Sequence, residues 1–114
     1  DEIRTLFLDA RPVLTVDESM VPEVFALHQN YPNPFNPTTT INYDIPESQV
    51  ISIIIYDIMG REVRSIVNEF QEIGYRSVRW DATDNFGSLV SAGMYVYTIQ
   101  AGDFRQVRKM VLLK

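Results

Sequence analysis

The chain has 114 residues, 46% of them hydrophobic and 22% charged, which points to one domain with a single modest core and excludes wholesale disorder. Its net charge of −5 argues against a general nucleic-acid binder, because neutralising phosphates takes a basic surface. There is no cysteine, so disulfides and thiolate metal sites are out, and the run "VISIII" has strand length, not the roughly 18–20 residues of a membrane-spanning helix.

In chain order, the first segments are the least regular. "TLFLDA" and "VLTV" each have strand character, while "DESMVPEV" is polar and broken by Pro22. Residues 1–23 are read as a linker or the tail of a preceding region, able to add a strand to a sheet edge; residues 24–114 form the folded domain. The chain opens on Asp1 without a signal-peptide pattern, and is read as a piece of a longer protein.

The stretch "YPNPFNP" follows. Pro32, Pro34 and Pro37 each fix φ, lack a donor and restrict the preceding residue. Such a segment cannot join a central ladder but makes a stiff corner. Tyr31 and Phe35 are the expected anchors into the core, and Asn33 and Asn36 suit side-chain hydrogen bonds to the local backbone.

Beyond it, strand signals dominate. "TINYDI" puts Ile41, Tyr43 and Ile45 on one face, the period-2 pattern of a half-buried strand. "VISIIIYDI" is apolar on both faces, which suits a central strand covered on two sides. A turn at Gly60 leads into "EVRSIV", completing a hairpin. After the polar break "NEFQEIG", "YRSVRWDA" aligns Val78 with Trp80. "TDNFGSLVSAG" reads as a loop. "MYVYTIQA" and "FRQVRKMVLL" are strands joined at Gly102 and Asp103, a two-residue hairpin turn. The expected fold is all-β, an immunoglobulin-like β-sandwich of about seven antiparallel strands. The last eleven residues carry Arg105, Arg108, Lys109 and Lys114 and no acid. Basic residues on an edge strand discourage unwanted pairing, but they also offer charge to a partner.

The motifs "FALHQNYPNPFNPTTTI", "IYDIMGREVRSIVNE", "WDA", "SAGMYVYTIQAG" and "KMVLLK" resemble, in order and spacing, the type A C-terminal sorting domain of the type IX (Por) secretion system over residues 24–114. The loop between "WDA" and "SAGMYVY" is longer than usual for that family and is similar to the immunoglobulin-like domain of the flagellar hook-capping protein. The resemblance implies a non-catalytic signal, continuous with an upstream cargo, that directs export through the periplasm to the cell surface or medium. Its implied partners are the type IX translocon and a sortase-like peptidase on the cell surface, with Lys114 as the parent's C-terminus. Family motif positions fall on Asn33, Pro34, Phe35, Asn36 and Pro37, on Asp57, Gly60, Arg61 and Glu62, and on Gly93 and Tyr95. Gly60 and Gly93 also read as turn glycines, and Trp80 and Tyr95 as core aromatics. The expected translocon-recognition element is Arg108, Lys109, Met110, Val111, Leu112, Leu113 and Lys114, a basic, apolar edge strand open to strand addition. Deleting it is expected to abolish delivery while leaving most of the sandwich folded.

Chemistry is sparse. His28 is the only histidine, which speaks against a zinc site or a histidine dyad, and no nucleophile turn or phosphate loop is present. No cofactor is expected. Asp81, Asp84 and Asn85 place three oxygen donors close together as a candidate calcium contribution, but the spacing is not that of an EF-hand and such turns commonly form without metal. Two other readings are a carbohydrate-binding or structural module using Trp80, Tyr95 and Tyr97, and a hook-capping-like assembly domain.

Overall fold

The computed structural model describes residues 21–113. The strand character of "TLFLDA" and "VLTV" lies outside the described residues. Seven strands follow: β1 (Ala26–Leu27), β2 (Thr39–Ile45), β3 (Gln49–Asp57), β4 (Glu62–Gln71), β5 (Gly74–Trp80), β6 (Gly93–Ala101) and β7 (Phe104–Leu112). All ladders between them are antiparallel. They form a three-stranded sheet, β1-β2-β5, and a four-stranded sheet, β4-β3-β6-β7. The architecture is the expected immunoglobulin-like sandwich.

Alternation builds the core. Ile41, Tyr43 and Ile45 of β2 and Trp80 of β5 face Ile51, Ile53 and Ile55 of β3 and Tyr95, Tyr97 and Ile99 of β6, all buried. β-branched and aromatic side chains suit a pleated surface buried on one side. Burying them supplies the main driving force, roughly 25 cal/mol per Å² of apolar surface.

Two expectations change. β3 is central, flanked by β4 and β6, but only its inward residues are buried; Val50 is exposed and Ile54 and Tyr56 are half-buried. Among the described residues, then, no second layer covers the apolar outward residues. β4 also runs through the segment expected to break it, as far as Gln71. Gln71 is buried and its Oε1 accepts a hydrogen bond from Tyr43 Oη at 2.6 Å, which gives a polar residue a reason to stay in the strand. The β6–β7 hairpin turns where expected, at Gly102 (φ 59°), where an added Cβ would lie 2.8 Å from Gln49 Nε2.

Candidate functional site

β7 is the outer strand of its sheet, the edge position expected of the terminal segment. Its side chains alternate: Arg108, Met110 and Leu112 turn inward, and Arg105, Val107, Lys109 and Val111 turn outward. Met110 and Leu112 are buried, and Leu113 is half-exposed. Lys114 lies outside the described residues. The six described residues of the expected recognition element thus divide between inward packing and display.

The inward cation has a structural job. Arg108 Nε donates to the Leu27 carbonyl at 2.8 Å, and Gln106 Oε1 accepts from Leu27 N–H at 3.1 Å. These bonds join the short strand β1 of one sheet to β7 of the other. Gln29 Nε2 donates to the Lys109 carbonyl at 2.7 Å.

The proline corner then closes the rest of the edge. Phe35 N–H donates to the Val111 carbonyl at 3.0 Å, and Leu113 N–H donates to the Phe35 carbonyl at 2.8 Å. Val111 N–H donates to Asn33 Oδ1 at 2.9 Å. Phe35 and Leu112 form a parallel bridge. The corner acts as a short extra strand on β7, so the N–H and carbonyl of Val111 and the N–H of Leu113 are already paired. Strand addition there requires the corner to leave.

Within the corner, Phe35 is buried as expected, but Tyr31 is 79% exposed. Tyr31 exchanges backbone hydrogen bonds with Thr40, a position whose side chain faces out, so its ring cannot reach the core. Asn33 bonds a distant strand and not its own backbone. The residue that sequence reasoning missed is Asn30. It is buried; its N–H donates to Tyr97 Oη at 2.8 Å, and its Nδ2 donates to Thr39 Oγ1 at 3.0 Å and to the Pro32 carbonyl at 3.2 Å. Tyr97 Oη donates in turn to the His28 carbonyl at 2.6 Å. Burial pushes the Tyr97 phenol up to about 12. A polar residue before a run of prolines gives no sequence signal of this, since its partners sit up to 67 positions away.

The other motif positions explain themselves locally. Asp57 Oδ1 accepts from Met59 N–H at 2.9 Å and Arg61 N–H at 3.0 Å, and its Oδ2 accepts from Arg61 Nε at 2.9 Å. The Arg61 N–H bond, first among these, holds the Asp57 carboxyl below the usual carboxylate range. Gly60 takes φ 84° in the same turn, a left-handed conformation costly for other residues. Trp80 packs against Phe35 (centroids 5.8 Å apart) and edge-on to Tyr95 (5.4 Å). Trp80 Nε1 donates to the Thr83 carbonyl and Tyr95 Oη to the Ser91 carbonyl, pinning both ends of the long loop before β6. Gly93 opens β6.

That loop seals the opposite edge. Asn85 N–H donates to the Val63 carbonyl, Asn85 Oδ1 accepts from Ser65 N–H, each at 3.0 Å, and Asn85 Nδ2 donates to Glu62 Oε2. Asp84 Oδ1 accepts from Phe86 and Ser88 N–H, and Asp81 accepts from Thr83 Oγ1. The three candidate calcium donors are thus turned to protein donors. Among the described residues no cluster of three His, Asp or Glu side chains could hold a metal. His28 Nε2 lies 2.9 Å from Asp44 Oδ2 on the outer face of the three-stranded sheet. Trp80, Tyr95 and Tyr97 are core residues, which removes the aromatics on which a carbohydrate site was considered.

No curated protein matches the chain. Among solved structures it is similar to PorZ, described as an essential bacterial surface component of the type-IX secretion system of Porphyromonas gingivalis, with 20% identity and a TM-score of 0.54 over 79% of this chain and 11% of that one. It is similar to dimeric latent PorU from the same organism, with 22% identity and a TM-score of 0.64 over 82% of this chain and 10% of that one. FLGD from P. aeruginosa matches with 21% identity and a TM-score of 0.52 over 69% and 67%. These likenesses concern the fold, and the chain spans about a tenth of the first two proteins. The model of the secretion system C-terminal sorting domain matches residues 29–113, from the residue before the buried Asn30 to the last described residue of the terminal edge. That match takes in every sandwich strand after β1, and on it the chain belongs to the secretion system C-terminal sorting domain family.

Proposed function

We propose that this domain is a non-catalytic sorting signal of the type IX system, beginning near residue 24 and continuous with an upstream cargo. A secretion-signal role comes with the family, and export toward the cell surface or outside follows from it. No helix among the described residues is long and apolar enough to cross a membrane. In this reading the cargo passes through the periplasm, the translocon reads the segment of Arg108, Lys109, Met110, Val111, Leu112, Leu113 and Lys114, and a sortase-like peptidase at the surface processes the product.

The observation that carries the reading is the family match across residues 29–113, joined to a terminal strand at the sheet edge. Met110 and Leu112 serve it by anchoring the strand, and Lys109, Val111 and Leu113 by standing outward. The test is fusion of residues 24–114 behind a periplasm-exported fluorescent protein in a type IX-competent bacterium. Translocon-dependent fluorescence at the surface or in the medium is expected. A folded fusion of wild-type sequence held in the periplasm of a host that exports its own sorting domains would overturn the reading.

A further inference from the structure

The outer face of the four-stranded sheet remains unaccounted for. Cross-strand registers place Tyr56, Val96 and Lys109 side by side in one row, with Met94 opposite Val111 at the next. Val107 is 52% and Met94 46% exposed. Further along, Arg105 stands opposite Gln100, its Nη1 3.4 Å from Gln100 Oε1. Among the described residues, β3, β6 and β7 present no carboxylate on this face, although the chain as a whole carries −5. The acid across from Tyr56 on β4, Glu62, is held by the Asn85 amide, and Asp103, two residues before Arg105, lies in the turn between β6 and β7.

Strand addition at the terminal end of β7 is closed by the proline corner, so a partner meeting the folded domain there finds side chains and not main chain. An aromatic, a methionine and an arginine with valines between them have the composition of an interface centre. Two cations are fewer than the clusters of about 4–8 by which basic segments read anionic lipid. We propose that the machinery recognising this domain docks on the outer face of β3, β6 and β7 through a protein surface with an apolar centre over Val96 and Val111 and carboxylates meeting Arg105 and Lys109. This rests on the sorting role proposed above and names the surface that serves it.

The test uses the whole chain fused to the exported fluorescent reporter. The double variant Arg105→Glu/Lys109→Glu is expected to lower surface and medium fluorescence at least about tenfold. Arg105→Gln/Lys109→Gln should fall between, and Lys109→Arg should match the unsubstituted chain. Ser77→Glu, on the outer face of the other sheet, should also be delivered normally. Circular dichroism and thermal midpoints of each purified chain must stay unchanged, which separates docking from folding. If the unsubstituted fusion is not exported, the sorting role fails and the docking face with it. If it is exported and the charge-reversed chain is exported equally, the docking face alone is overturned. It is also overturned if the purified chain dimerises in sedimentation and Val107→Glu abolishes the dimer, or if the chain co-sediments with phosphatidylglycerol vesicles.

Discussion

Asn30 ties the proline corner to the core, and its side chain and backbone both donate to buried acceptors. Asn30→Ala takes from the buried Thr39 Oγ1 the amide donor it accepts from, while the Pro32 carbonyl keeps its bond from Thr39 Oγ1 at 2.9 Å, so one buried group is left short at about 1–3 kcal/mol. A loss of about 2 kcal/mol in urea unfolding is expected. Tyr97 closes the same network and has a pH signature. Its folded-state phenol sits near 12, above the ordinary 10.0, because burial disfavours the phenolate. The unfolded chain therefore releases this proton first as pH rises. The stabilisation is complete below about pH 10 and is lost progressively toward pH 12. Tyr43, also raised by burial, adds to the same decline. In alkaline unfolding, Tyr97→Phe should flatten the slope across that window, and an unchanged slope would place the linkage elsewhere.

At the scale of the element, the corner and β7 stabilise one another. Phe35 fills the core beside Trp80 while its backbone pairs with Val111 and Leu113. Phe35→Ala is expected to cost about 3–5 kcal/mol. Native-state hydrogen exchange should show the Leu113 amide, and the Val111 amide bonded to Asn33, losing protection before those of β3. The strands themselves were legible because alternation is a local signal: "TINYDI" and "MYVYTIQA" announce their buried faces residue by residue. The corner was half legible. Proline rules gave its stiffness and Phe35 its anchor, but Tyr31, expected inside, stands out, and Asn30, of which nothing was expected, is buried, since burial there depends on register with β2 and on Tyr97. The extension of β4 was hidden for the same reason, its buried Gln71 being satisfied across the sandwich by Tyr43. The outward apolar residues of β3 were visible too, but alternation alone does not say whether a second layer covers them.

For the whole molecule, the expectation that residues 108–114 can be removed from an otherwise intact sandwich does not survive the placement of Met110 and Leu112 in the core. Each large buried side chain contributes about 2–5 kcal/mol, comparable together to the roughly 5–15 kcal/mol that holds a domain folded. The truncated chain should give a largely unfolded circular dichroism spectrum at 25 °C. A cooperative unfolding transition close to that of the full chain would contradict this. Loss of delivery on truncation therefore cannot by itself locate a recognition element, whereas outward substitutions on β7 can. The bond between Asn33 and Val111 spans 78 positions, and contacts of such separation form late and slowly. During synthesis, the corner emerges from the ribosome with its partner strand still untranslated, and the core stays open until Met110 and Leu112 of β7 arrive. Folding of this domain therefore waits for β7, and a chain stopped before that strand presents no finished sandwich.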